Sequence, residues 1–290
     1  MKIKSIRNYK KWAIIFDTFC KSKSYSEIKN NYDHEISKCI KPEKIQLFNK
    51  YGQMYQGKLA GKTIADYIRD NYYWTINELQ FKNLMKMMKP LFIGLVEMKK
   101  NKFIHNDIKY YNIVLEKNKF KYIDFGFSGL LKEKKFFEKR SKQEFDTYRF
   151  YDWYPVEYLY SYQSKKDLNR ELTELNQFDY RRGFDDLTKV HSIYNRDLES
   201  YMKSFINKLL EGKKINKNQL ILSIDVYSLG ILIPISFIKI TENNILLQRS
   251  KCIDEFYKLF GKMTELDFEK RITAEKSLEI FEYLLMKHNC

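Results

Sequence analysis

The sequence predicts an α+β fold in which a small, sheet-containing lobe precedes a larger and mainly helical one. Three observations lead there. Before residue 57, strand-like pieces at Trp12–Phe19, Ile45–Tyr51 and Gln53–Gln56 surround one helical segment near Tyr25–Ile40. From Thr63 onward apolar residues recur at helical spacing, interrupted by a hairpin pattern and an irregular aromatic stretch. No Pro/Gly/Ser-rich linker or internal repeat divides the 290 residues, of which 44 % are hydrophobic, so the chain has material for a substantial core. The boundaries expected are 1–57 for the small lobe and 58–290 for the large one, with a hinge at about 57–61 and a charged insert at about 163–220.

Taken in order, the elements of the large lobe have separate signals. Leu84, Met87, Met88, Leu91, Phe92, Leu95 and Val96 mark one helical face, with Pro90 predicting a kink or a new helix start inside it. IVLEKNKFKYI (Ile113–Ile123) is two strand-like runs around a Lys-Asn turn. An aromatic-rich stretch runs from there to Tyr162. Leu198, Met202, Phe205, Ile206, Leu209 and Leu210 give an amphipathic helix over 197–211, ended by Gly212. Three more helices are expected near 224–240, 252–260 and 273–287. The longest apolar run, LGILIPISFI (Leu229–Ile238), is half of the ~20 residues that a membrane span needs, so it predicts a buried core helix, bent or restarted at Pro234. No membrane span is expected, and the basic start MKIKSIRNYKKWAIIF lacks the pattern of a signal peptide.

Charge and cysteine bound the function classes. The formal net charge is +16, and the first fifty residues contribute +7 from twelve Lys/Arg against five Asp/Glu. The excess is spread along the chain rather than gathered into a block, which favours a generally basic, solvated surface over a nucleic-acid groove. Such a surface attracts acidic partners. Cys20, Cys39, Cys252 and Cys290 lie far apart with no CxxC pair, which predicts neither a zinc site nor a disulfide framework and points to a reducing, cytoplasmic setting.

The stretch FIHNDIKYYNIVLEKNKFKYIDFG (Phe103–Gly126) asks for more than a hairpin. It sets His105, Asp107, Lys109 and Asn112 before the first strand and Asp124 after the second. Carboxylate, ammonium and amide groups of this kind hold phosphate and Mg²⁺, a hard cation that prefers oxygen ligands. Phosphoryl transfer needs positioning and charge neutralisation more than covalent chemistry, so such a set suffices for it.

HNDIKYYN followed by DFG resembles the catalytic and magnesium-binding loops of the eukaryotic protein kinases, whose usual strings are HRDLKPEN and DFG. Further segments match in the family's order. WYPVEYL (Trp153–Leu159) resembles the APE segment, SIDVYSLGIL (Ser223–Leu232) resembles D-x-W-S-x-G, and KRITAEKSL (Lys270–Leu278) resembles the late R-x-T-A segment. The resemblance implies a bilobal kinase-like fold and an ATP- and Mg²⁺-dependent serine/threonine-type protein kinase acting on a protein substrate. Asp107 would accept the substrate hydroxyl's proton, Lys109 would neutralise the transferring phosphate, and Asn112 and Asp124 would hold Mg²⁺. It also implies that Asp225 braces the catalytic loop, that His105 packs under Phe125, and that Glu157 pairs with Arg271. Lysine, isoleucine, asparagine and tyrosine richness resembles the divergent kinases of large cytoplasmic DNA viruses.

The amino-terminal lobe departs from the family pattern. The first glycine of the chain is Gly52, so a Gly-rich phosphate-covering loop is absent at its usual place. YDHEISKCI would carry the helix glutamate, Glu35, with Cys39 one turn on. Lys21 is chosen as its lysine partner and ATP contact, with Lys23 and Lys11 as competitors; if WAIIF is the third strand, Ile15 takes the lysine's place. In so basic a chain each of these lysines reads equally as a solvated surface charge, and Glu35 as a surface helix charge. The departures keep open a catalytically impaired binding or scaffold protein, and the H-x-D-x-x-x-x-N pattern also occurs in small-molecule phosphotransferases of the choline or aminoglycoside kinase type. Asn106 stands where the family usually has arginine, so a phosphate at Thr147 or Tyr148 would lack its usual partner unless Arg140 or Arg149 supplied one.

Overall fold

The expected strand from Trp12 to Phe19 does not form as one piece. In the computed structural model, residues 2–15, 18–21, 53–56, 61–72, 75–133, 135–138, 140, 155–161, 164–176, 184–240, 246–247 and 250–290 are described. Tyr9–Lys11 is a 3-10 turn, and Trp12 after it is fully buried. The indole lies 2.9 Å from where a Cβ on Gly94 would stand, so only glycine admits the ring there. Tyr122 N–H donates to Trp12 O (2.9 Å) and Ala13 forms a parallel bridge with Tyr122. Burying an aromatic ring of this size outweighs extension of the strand. Residues 1–13 therefore cluster with 61–290 as one compact unit, and 14–60 form a second, which moves the amino-terminal segment out of the 1–57 lobe expected from sequence.

Within the smaller unit, β1 (Thr18–Lys21) pairs antiparallel with β2 (Gln53–Gln56), Thr18 opposite Gln56 and Lys21 opposite Gln53. The helix expected near 25–40 and the strand at 45–51, with Lys23, Glu35 and Cys39, lie outside the described residues.

The larger unit begins with α1 (Ile64–Asn71), capped by Thr63, whose Oγ1 accepts from Asp66 N–H. After the short β3 (Thr75–Ile76), α2 runs unbroken from Glu78 to Lys100 behind a reciprocal Asn77–Gln80 capping box. Pro90 neither ends nor restarts it. An interior proline costs about 3 kcal/mol, whereas burying a side chain such as Leu91 or Phe92 returns roughly 1.5–3 kcal/mol each; both are fully buried, and Phe92 stacks on Phe281 at 3.8 Å. Tertiary packing wins.

Four small strands carry the site: β4 (Phe103–Ile104), β5 (Ile113–Glu116), β6 (Lys119–Tyr122) and β7 (Gly129–Leu130). β5 and β6 form the expected hairpin, and β4 pairs antiparallel with β7. At the hairpin tip Lys117 (φ 48°) and Asn118 (φ 59°) both take left-handed backbone, the requirement of a two-residue turn that matches strand twist.

The charged segment 163–220 is no appendage. It supplies α3 (Lys165–Asn176), α4 (Phe184–Ile193) and α5 (Leu198–Leu210), whose Leu168, Leu187, Val190, Met202, Phe205 and Ile206 join the main hydrophobic cluster. Its charges are the solvated faces of amphipathic helices. Gly212, at φ +69°, closes α5 as expected. α6 (Lys217–Ile240) is continuous through Pro234 and is long and apolar enough to cross a membrane, but that window is 89 % buried within the fold, the mark of a core helix. A short β8 (Leu246–Leu247) pairs parallel with β3, and α7 (Lys251–Met263) and α8 (Ala274–Lys287) finish the unit.

Candidate active site

The loop between β4 and β5 is held from below by one carboxylate. Asp225 of α6 accepts from His105 N–H at 2.7 Å and from Asn106 N–H at 2.9 Å, so two consecutive amides share its two oxygens. Burial pushes the Asp225 carboxyl up to about 6, against the two amide hydrogen bonds that pull it down. The His105 ring lies against Phe125, centroids 4.5 Å apart, and Nε2–H donates to Ile123 O at 3.1 Å. Burial pushes this imidazole down to about 4, which keeps it neutral at physiological pH. His105 is thus a packing residue, as the resemblance implies.

With its amide tied down, the loop turns Asp107 inward. Its carboxylate is 1 % exposed and Oδ2 accepts from Asn112 Nδ2 at 2.7 Å and lies 3.1 Å from Lys109 Nζ. Asn112 Nδ2 also donates to the Asp107 carbonyl (3.0 Å), which directs the amide nitrogen toward the loop. The hairpin brings Asp124 alongside, because Ile113 pairs with Tyr122 and Ile123 N–H donates to Asn112 O (3.0 Å). Asp124 itself takes a left-handed backbone (φ 56°), exposed, while the next residue, Phe125, is buried against His105 and Phe103. The side chains of Lys109 and Asn112 therefore meet on Asp107, and the hairpin register sets Asp124 next in the chain to Ile123, which bonds Asn112. Lys21 sits on β1 of the other unit, and its side chain and Glu35 fall outside the described residues; Lys11, a competitor, lies exposed on the 3-10 turn beside Trp12.

Two features escaped the sequence reading. Asn106 (φ 61°) donates from Nδ2 to Phe127 O and accepts at Oδ1 from Tyr158 O–H at 2.6 Å, so the residue in the usual arginine's place clips the loop to the segments on either side. Arg140, 33 residues downstream, places NH2 2.8 Å from Asp107 Oδ1 with both side chains almost wholly buried. Its only sequence signal was a spare arginine in an aromatic stretch. Residues 141–154, with Thr147, Tyr148 and Arg149, lie outside the described residues.

Residues 20–154 match the family model of the protein kinase domain. That stretch is just under half of the chain, and it is similar to the eukaryotic-type protein kinases. No curated protein gives a significant match. The α+β fold described above is the protein-kinase fold in a divergent form, and the kinase features continue past residue 154 in three dimensions. Glu157 and Arg271, 114 residues apart, form a fully buried ion pair at 2.6 Å. The Arg271 guanidinium also donates to Ser223 O and Oγ, Glu265 O and Leu266 O, at 2.9–3.3 Å. Burial raises the Glu157 carboxyl while Arg271 pulls it back.

Proposed function

We propose that this kinase transfers the γ-phosphate of ATP, with Mg²⁺, to serine or threonine hydroxyls of protein substrates. The observation that carries the reading is the convergence of Lys109 and Asn112 on the Asp107 carboxylate, in a loop whose His105 and Asn106 amides are held by Asp225. Asp107 accepts the hydroxyl proton as the oxygen attacks phosphorus. Lys109, two residues on, offsets charge on the phosphate in transit, the arrangement of the serine/threonine type. Lys21 and Glu35 are proposed to serve the ATP phosphates.

The residues fit Mg²⁺. Asp124 offers an exposed carboxylate and Asn112 an amide oxygen not used by its Nδ2 bonds to Asp107, and among the described residues no group of three or more His, Cys, Asp or Glu side chains forms a closed cage. Mg²⁺ is held in just this way, by one or two protein oxygens plus phosphates and water. When bound, the cation neutralises phosphate charge as the terminal P–O bond breaks. Asn112 and Asp124 would hold it, and Asn112 couples that site to the base through its Nδ2 bond to Asp107.

The net charge of +16 favours acidic protein substrates. Cys252 and Cys290 are free thiols, and the cytoplasm is proposed as the place of action. A second reading, a kinase-fold binding protein without turnover, is favoured by the lack of any glycine before Gly52. Purified protein given labelled ATP and Mg²⁺ with an acidic protein, a basic protein or choline separates the readings. Phosphoserine or phosphothreonine in a protein arm is expected, with Asp107→Asn at least about 10²-fold slower. Label only in choline, or none in any arm, refutes the proposal.

A further inference from the structure

The hydrogen bonds around Asp107 leave its second oxygen to a residue with no place in the chemistry. Oδ2 is taken by Asn112 and Lys109, and Oδ1 meets Arg140 NH2 at 2.8 Å. A substrate hydroxyl must come within about 2.6–3.2 Å of a lone pair on the same carboxylate. Arginine stays charged at any working pH and carries a rigid planar fork, so it fills that position with a cation and a flat group wider than a hydroxyl. Arg140 is itself 4 % exposed, and its guanidinium lies 4.1 Å over the Phe127 ring. It is a built contact rather than a passing one.

The short helical turn at 135–138 aims it. Phe137 is fully buried and stacks on Tyr158 (5.4 Å, 21° between planes), the residue whose hydroxyl also holds Asn106. Glu138 reaches Lys217 Nζ at the start of α6 (2.7 Å), with 40 % and 21 % of the two side chains exposed. One anchor is deep and one is half open to water. The half-open pair is the weaker, since exposed ion pairs are screened.

We propose that Arg140 is an autoinhibitory plug: it occupies the substrate hydroxyl's place on Asp107 and must swing away for phosphotransfer. This rests on Asp107 being the base, as proposed above. It also differs from the alternative that Arg140 helps by orienting the carboxylate, because the two predict opposite signs for its removal. In a two-state equilibrium the apparent rate scales with the open fraction.

The test compares wild type, Arg140→Gln, Lys217→Gln and Asp107→Asn, each full length, with Mg²⁺, ATP and a protein substrate. Folding is checked by thermal denaturation. Arg140→Gln should raise kcat/KM for the protein substrate by about tenfold, equivalent to about 1.4 kcal/mol of closed-state preference, with KM for ATP unchanged. Lys217→Gln, which lies outside the Asp107 loop and removes the Glu138 tether together with a cation–π contact to the Tyr160 ring, should raise it by roughly two- to threefold. An Arg140→Gln protein that is folded but equally fast or slower overturns the plug, a slower one making Arg140 a positioning residue instead. If Asp107→Asn stays dead while Arg140→Gln gives no gain, only the plug fails. Turnover by Asp107→Asn, or none by wild type and Arg140→Gln together, overturns the plug and the proposed function with it.

Discussion

Arg271→Ala should be among the most destabilising single substitutions in this protein, and the reason can be worked bond by bond. The guanidinium is buried and serves Glu157, both oxygens of Ser223, and the carbonyls of Glu265 and Leu266. It also lies 4.9 Å over the Tyr227 ring. Its loss strands a carboxylate whose other oxygen, Oε2, already has no partner among the described residues. Breaking a buried pair from one side costs about 3–5 kcal/mol. Uptake of a proton limits the penalty, because burial already pushes the Glu157 carboxyl upward and Arg271 is what opposes it. At roughly 2–4 °C per kcal/mol for a domain of this size, Tm should fall by about 6–20 °C. Glu157→Gln should cost less, since the amide oxygen still accepts from Arg271, which keeps its other acceptors. Glu157→Leu with Arg271→Met should recover most of the loss, because paired apolar replacement removes the stranded charge. The assay is thermal and urea denaturation of the four proteins at neutral pH. A Tm for Arg271→Ala within about 2 °C of wild type, or Glu157→Gln as damaging as Arg271→Ala, would refute the reasoning.

Other outcomes follow from the same geometry. Asp124→Asn should weaken Mg²⁺-dependent nucleotide binding, read by calorimetry with and without Mg²⁺, while metal-free binding stays unchanged; equal Mg·ATP affinity in both proteins counts against the metal role. Asp225→Asn has one acceptor oxygen for the His105 and Asn106 amides, so one buried N–H loses its partner at about 1–3 kcal/mol, and kcat should drop by about tenfold or more as Asp107 shifts; unchanged kcat would show that the brace is dispensable. Stability should fall as pH is lowered from 7 to 4. Burial pushes His105 to about 4 and His191 to about 3, both below the ordinary histidine value. The unfolded chain therefore binds protons first, and the contribution present above about 6.5 is lost toward the folded values. Asp225, pushed up to about 6, and Glu157, also raised by burial, work the other way, their contributions being lost as pH rises, but each histidine is shifted further than Asp225. His191→Gln should flatten the acid limb of a Tm–pH curve, and an unaltered limb would remove His191 from the account.

Much of the site was legible because its chemistry is local. His105 to Asp124 is a single loop and hairpin, so spacing alone puts Asn112 and Asp124 at one hairpin end once Ile113 pairs with Tyr122. The glutamate–arginine pair was legible as well, since a buried charge demands a partner and Arg271 stood in a recognisable segment. The amino-terminal boundary was misplaced because WAIIF has the composition of a strand, and nothing in five residues says that Trp12 has a glycine-lined slot waiting on α2. Within the charged 163–220 segment the stripe of 197–211 was legible, whereas the packing of 165–176 and 184–193 on the main cluster was hidden by charge counts, which report the wet faces of helices.

By itself, then, the amino-acid sequence determined the α+β class, the helical periodicity beyond Thr63 and the hairpin with its Lys-Asn turn, and it proposed the four polar residues of the site. These depend on side-chain periodicity, local backbone preference and the chemistry of neighbours. Only the tertiary structure decided that α2 and α6 run through their prolines, that the first thirteen residues join the larger unit, and that Arg140 lands on Asp107. Each of those outcomes weighs a local cost against burial or charge pairing with residues distant in the chain, and a term of that kind has no value until the chain has folded around it.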